Sequence, residues 1–179
     1  MDPAVSWTIS IALAVVFGAS AVIKFEDFGE FRAAVANYRI VPESSAMPVA
    51  ALVPVTETAG AVGILIPRSH QAAAALLLIL LAIFTAAIVV NLMRGRLHVD
   101  CGCFGPAIRQ PLSWWLPARN AILMALAAIA IVPADGRPMT PLDAATIVFG
   151  AATVVVLYLA ANYLLANLPR MRALETANA

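Results

Sequence analysis

Apolar positions in this chain come in long unbroken blocks, without the alternation of a strand or the one-sided stripe of a surface helix. Four blocks stand out: Ala4 to Ile23, Ala46 to Ile66 with Glu57 as its only charged interruption, Gln71 to Met93, and Ala144 to Ala166. Each approaches the roughly 20 residues a helix needs to cross a bilayer. A fifth, Asn120 to Val132, is too short alone and must borrow from Leu112 to Arg119. There Trp114 and Trp115 would mark the interface and Arg119 would snorkel toward it. The pattern predicts an all-α, polytopic transmembrane helix bundle of about five spans, near 4–23, 46–66, 71–93, 112–132 and 144–166, in one integral membrane domain over 1–179.

Between blocks the period changes. After Lys24, where the first span is expected to end, Phe25, Phe28, Phe31, Val35 and Tyr38 recur at three- and four-residue steps among Glu26, Asp27, Glu30, Arg32 and Arg39. That spacing predicts a short helix lying in the headgroup plane. Pro42 stops it. Pro48 falls near the first turn of the second span, where a missing amide donor costs little, and Pro54, lying deeper, predicts a kink. Pro67 ends that span, and the tight turn Arg68 to His70 makes spans two and three antiparallel neighbours, with His70 solvated. Gly60 and Gly63 offer a smooth surface to the alanine-rich start of span three, or simply reflect how common small residues are in membrane helices. Pro106, Pro111 and Pro117 interrupt the longest polar stretch, Arg94 to Ser113. Pro141 with Asp143 makes the start of the last span.

Composition agrees with a lipid environment. Of 179 residues, 63% are hydrophobic and 12% charged, with mean hydropathy +0.92, against about 25% charged in a soluble domain. A net charge of +1 without a basic stripe excludes nucleic acid as a partner; the partner implied is the lipid bilayer. Ala19-Ser20-Ala21 is similar to a signal-peptide cleavage site, but the first block opens on Asp2 with no Lys or Arg before it, so it is read as a retained helix. For five spans, one side of the membrane holds Arg68 and Arg137. The other holds Lys24, Arg32, Arg39, Arg94, Arg96, Arg109, Arg119, Arg170 and Arg172. The asymmetry puts the second side, with the loop between spans three and four, in the cytoplasm.

That loop carries the chain's two thiols, Cys101 and Cys103, in His98-Val99-Asp100-Cys101-Gly102-Cys103-Phe104-Gly105. Their spacing excludes haem attachment, and structural zinc or an iron–sulfur cluster needs about four ligands. His98, Asp100, Cys101 and Cys103 supply the right atoms in a run too short to close round one metal, so no metal and no cofactor is expected. A disulfide across one residue needs a sharp turn, which Gly102 permits. Such a bond would be strained, and strained exposed disulfides tend to be labile or catalytic. His98 and the nearby arginines favour a thiolate while Asp100 opposes it. The alternative is a pair that only packs, or a static bond.

Asp100-Cys101-Gly102-Cys103-Phe104-Gly105 after three apolar spans resembles the signature of the MauE/DoxX family of redox-associated membrane proteins. The run from Lys24 through Phe31 and Tyr38 to Pro42, then a span with Pro54 and Glu57, is similar to the family's first half, so the resemblance reaches about Val132. It implies a four-helix core in the bacterial cytoplasmic (inner) membrane and a part in making methylamine dehydrogenase, whose disulfide-rich small subunit matures outside the cytoplasm. It also implies a thioredoxin-like partner of the MauD type, and Cys101 and Cys103 as the exchanging pair. Exchange with such substrates places the loop outside, since the bacterial cytosol keeps thiols reduced. Charge counting places it inside, and the side stays open.

Glu57 lies near the middle of span two, where an ionised carboxylate is expensive. Two roles fit: a proton acceptor supporting thiol exchange, or a packing hydrogen bond to Asn91, Asn120 or Asn162 on other spans, with Thr56 and Thr58 beside it. Tyr158 and Tyr163 read as packing or interface anchors. The sequence therefore supports thiol–disulfide handling first, a non-catalytic membrane scaffold or anchor for a maturation partner second, and a small-solute transporter using Glu57 third.

Overall fold

The computed structural model describes residues 1–97, 99 and 111–177, the side chains of 168–177 excepted. The described residues form six α-helices and no strand: α1 (Pro3–Glu26), α2 (Phe28–Asn37), α3 (Glu43–Gly63), α4 (His70–Met93), α5 (Trp115–Ala130) and α6 (Pro141–Ala177). Four of them, α1, α3, α4 and α6, are long and apolar enough to cross a membrane. With that content the chain is a multi-pass membrane protein.

Local chemistry sets the boundaries. The Asp2 carboxylate accepts the Ala4 amide at 2.8 Å, and Pro3 follows at the first helical position, where a missing N–H costs nothing. Lys24 was expected to end α1, but the helix runs on to Glu26 and Lys24 is buried within it. α2 is the short helix expected from the Phe/Val/Tyr spacing. It packs Phe31 against Ala50 and Val53 of α3. α3 begins at Glu43, so Pro48 lies in its second turn, not its first. α4 ends where Gly95 takes a φ of +70°, and the Arg96 amide reaches back to the Asn91 carbonyl at 3.0 Å. This is the glycine-dependent helix stop that satisfies otherwise orphaned carbonyls.

α5 departs most from expectation. A span over 112–132 was predicted, but the helix holds 16 residues, about 24 Å of length. Leu112 and Ser113 stay outside it.

α1, α3, α4 and α5 close a four-helix ring, with α3 between α1 and α4, and α5 between α4 and α1. α6 lies outside against α1, and α2 against α3. Leu13 and Phe17 of α1, Ile64 of α3, Leu77 and Leu81 of α4 and Leu123 of α5 fill the ring. Close approach between α3 and α4 depends on glycine: a Cβ at Gly60 would collide with the Leu77 side chain, and one at Gly63 would stand 3.0 Å from the Ala73 methyl. The small residues of span two thus have a packing role. Gly150 does the same for α6, where a Cβ would meet the Thr8 methyl at 3.0 Å.

The end-to-end contacts show that α1, α3, α4, α5 and α6 alternate in direction. At one end the α3–α4 turn meets the end of α5, through His70 and through Gln71, whose side chain donates to the Ile131 carbonyl at 3.2 Å. The Met1 ammonium lies there too, 3.3 Å from Asp135. At the other end α2 meets the end of α4, where Arg94 donates to the Arg39 carbonyl. α5 therefore traverses the bundle although it is short.

Candidate functional site

His98, Asp100, Cys101 and Cys103 lie outside the described residues. The structure does describe the base from which their loop rises. The Leu112 amide donates to the Val99 carbonyl at 3.1 Å, tying the two ends of the loop together. Beneath them Ile88, Leu92, Leu112 and Leu116 form a buried apolar cluster against Tyr38 and Val99. Arg94 and Arg96 stand at the same place. Arg96 Nη1 donates to the Tyr38 carbonyl at 3.4 Å and to Asn91 Oδ1 at 3.3 Å. The loop thus leaves and rejoins the bundle at one apolar footing rimmed by positive charge.

Glu57 is buried, as an intramembrane carboxylate should be, but its partner was not foreseen. Lys24 Nζ donates to Glu57 Oε1 at 2.7 Å and Oε2 at 2.9 Å, with both side chains 2% exposed. Ser20 Oγ accepts from Lys24 at 2.5 Å and lies 3.3 Å from Glu57 Oε1, to which it donates. The rings of Phe31 and Phe84 sit 5.3 and 5.7 Å from the ammonium, within cation–π range. The three asparagines proposed as Glu57 partners bond elsewhere, and Thr56 and Thr58 donate to their own helix at Val53 and Pro54. Charge complementarity and a hydroxyl prevailed because a carboxylate in this medium gains more from a cation than from neutral amides. The available signal was the Ser20–Lys24 spacing of four, which puts both on one face of α1.

Arg119 also corrects its expectation. It does not snorkel but is 5% exposed inside the bundle. Its Nη1 donates to Asn162 Oδ1 of α6 at 2.6 Å, its Nη2 and Nε to Asn120 Oδ1 at 3.0 and 3.3 Å, and Asn120 donates onward to Thr85 Oγ1 of α4 at 3.1 Å. The Tyr158 ring stands 5.7 Å from its guanidinium carbon, so Tyr158 packs as expected, while Tyr163 is exposed. This network ties α4, α5 and α6 together. Lys24 and Arg119 are internal, so the charge count for the side with the cysteine loop falls from nine against two to seven against two.

His70 is not simply solvated. Its Nδ1 lies 2.8 Å from the Ile64 carbonyl and its Nε2 3.0 Å from the Ala130 carbonyl, so it bridges the ends of α3 and α5. At the same end Arg137 donates to both Asp2 and Asp143. Hydrogen bonds from Arg137, then from the Ala4 amide, hold Asp2 below the ordinary carboxylate value, and the two carboxylates raise Arg137 above its own.

Comparison with known proteins matches the architecture. A family model described as Methylamine utilisation protein MauE covers residues 2–133, the helices α1 to α5 without α6. The chain is 39% identical to Methylamine utilization protein MauE of Paracoccus denitrificans, over 99% of this chain and 94% of that one. It is 39% identical to the protein of the same name in Paracoccus versutus, over 91% and 88%. With that of Methylophilus methylotrophus it shares 34% identity over 90% and 86%. The chain belongs to the MauE family. No solved structure matches it.

Proposed function

We propose that this MauE-family chain serves methylamine utilisation by handling thiols and disulfides at the bacterial cytoplasmic membrane, in maturation of the disulfide-rich small subunit of methylamine dehydrogenase. Cys101 and Cys103 are the working pair. One, as thiolate, attacks a disulfide sulfur of the client and forms a mixed disulfide. The other attacks the first sulfur and releases the client thiolate. The pair ends oxidised and the client disulfide reduced by two electrons, and the reverse sequence oxidises the client. A thioredoxin-like protein of the MauD type is the external electron partner, since the chain has no second pair.

The observation that carries this reading is the footing of the loop. Its ends are joined at Val99 and Leu112 on a packed cluster, and Arg94 and Arg96 supply positive charge at its base, which favours an anionic sulfur. His98 and Asp100 flank the pair in sequence and would tune it. Glu57, held by Lys24, takes a structural role here. In this reading the chain crosses the bilayer five times, with α5 as the short fourth span.

Trapping tests it. Cys103→Ser should accumulate a mixed disulfide between Cys101 and a thioredoxin-like protein, resolved by reductant and absent from Cys101→Ser/Cys103→Ser. If neither single-cysteine variant yields an adduct, and the double alanine variant still supports dehydrogenase maturation, the chain is a scaffold and the exchange idea fails. An impermeant thiol reagent applied to intact spheroplasts should label the reduced pair from outside.

A further inference from the structure

Between α2, α3 and the middle of α4 lies a cavity of about 370 Å³, within the range of roughly 300–1,000 Å³ common for ligand sites. Its walls are almost wholly apolar. Leu52, Ile79 and Ile83 stand at its margin and are 61%, 57% and 58% exposed, so it opens sideways, where a bilayer would lie. On α4 the lining runs from Leu76 to Ile88, about 18 Å of helix, close to one leaflet of a core roughly 30 Å thick. Part-way along the slot, beside Phe84, Lys24 directs its donors away to Glu57 and Ser20, and the far end is lined by Leu76, Ile79 and Leu80. That end is therefore suited to hydrocarbon and poorly suited to a hydrogen-bonding head.

The other end has the opposite character. Tyr38, Ile40 and Val41 line the mouth, and between them exposed Arg39 is held at φ +47°, a conformation that persists in a non-glycine residue only where its surroundings impose it. Arg94 Nη1 donates to the Arg39 carbonyl at 3.3 Å, and Arg96 Nη1 to the Tyr38 carbonyl at 3.4 Å. Three arginines thus gather at the rim. Among the described residues, none of them joins an ion pair. Arg32 and Glu43 share a separate depression between α2 and α3.

We infer that this slot binds one anionic phospholipid, an acyl chain lying between α2, α3 and α4 and the phosphate resting among Arg39, Arg94 and Arg96. Basic rims over apolar clefts between membrane helices select anionic headgroups in this way, and guanidinium groups suit phosphate oxygens. The inference shares Arg94 and Arg96 with the base of the cysteine loop but requires no thiol step.

The test uses the full chain reconstituted in vesicles of phosphatidylcholine mixed with phosphatidylglycerol, extracted in mild detergent, with retained lipid read by native mass spectrometry. One phosphatidylglycerol per chain should be retained in preference to phosphatidylcholine. Arg94→Gln with Arg96→Gln should lower that preference about fivefold per arginine removed. Ile83→Trp, which fills the slot but leaves the rim, should release the lipid. Equal retention of both lipids by the unmutated chain would overturn the inference and needs no variant. So would a preference unchanged by the arginine substitutions in chains that melt normally in phosphatidylcholine, or a neutral prenyl quinone found in place of the phospholipid.

Discussion

Two buried cations hold this bundle together by different means. Lys24 meets a full negative charge, Glu57, across α1 and α3, with Ser20 closing the triangle. Among the described residues, Arg119 donates to the carbonyls of Asn120 and Asn162, joining α5 to α6 and, through Thr85, to α4. An ammonium is a compact charge that a carboxylate can match directly; a guanidinium spreads its charge over a planar fork that several dipoles can share. The ion pair is thus an all-or-none device, in which loss of one partner strands the other. The amide network spreads its stakes over three helices.

Substitutions can break this contrast. Lys24→Met strands the Glu57 carboxylate and should cost about 3–5 kcal/mol in detergent-titrated unfolding, the largest effect expected. Lys24→Met with Glu57→Gln should recover most of that loss, whereas equal losses in the single and double variants would remove the ion pair from the account. Arg119→Met leaves amide carbonyls without their donor and should cost about 1–3 kcal/mol. A larger loss than for Lys24→Met would invert the comparison. Asn162→Ala, which removes one interhelical bond, should cost near 0.6 kcal/mol and not above about 1.7, and should loosen α6 more than the ring, read by hydrogen exchange.

The exposed cluster of Arg137 with Asp2 sharpens the contrast from the side of water, where ion pairs contribute little. Because Arg137 holds the folded-state value of Asp2 below its ordinary 3.8, the stabilisation is present above that pH and is lost as pH falls through the lower, folded value. Arg137→Gln should therefore lower stability slightly at neutral pH and leave it unchanged in strong acid, where Asp2 is already protonated, so that the acid limb of the stability profile flattens. This is the smallest effect, and added salt should shrink it further.

The four unbroken apolar blocks were enough to give α1, α3, α4 and α6, because bilayer thickness dictates segment length whatever the neighbours are, whereas α5 is shorter than its predicted span. The interfacial spacing of Phe28, Phe31 and Val35 gave α2 for a similar reason: one buried face repeats. The partners of the polar residues were not legible. Glu57 could be flagged as costly, but which of Lys24, Asn91, Asn120 and Asn162 met it depended on helix order and rotation, set by contacts such as Gly60 on Leu77. Lys24 and Arg119 misled for one cause, since a charge at the end of an apolar block reads as a boundary until a neighbouring helix covers it. Cys101 and Cys103 were conspicuous by spacing alone, and what the structure adds is their platform at Val99 and Leu112.

The brevity of α5 reaches beyond the protein. Its neighbour α4 has 24 residues, about 36 Å, whereas α5 measures about 24 Å, and Ile122 and Ile129 on α5 are exposed. With α5 as the proposed fourth span, lipid beside that face would thin to meet a stretch shorter than itself, at a cost of a fraction of a kcal/mol for each ångström of mismatch. The bilayer would then dip into a shallow dimple along one flank of the ring, and shorter-chain lipids should relieve the deformation and steady the fold.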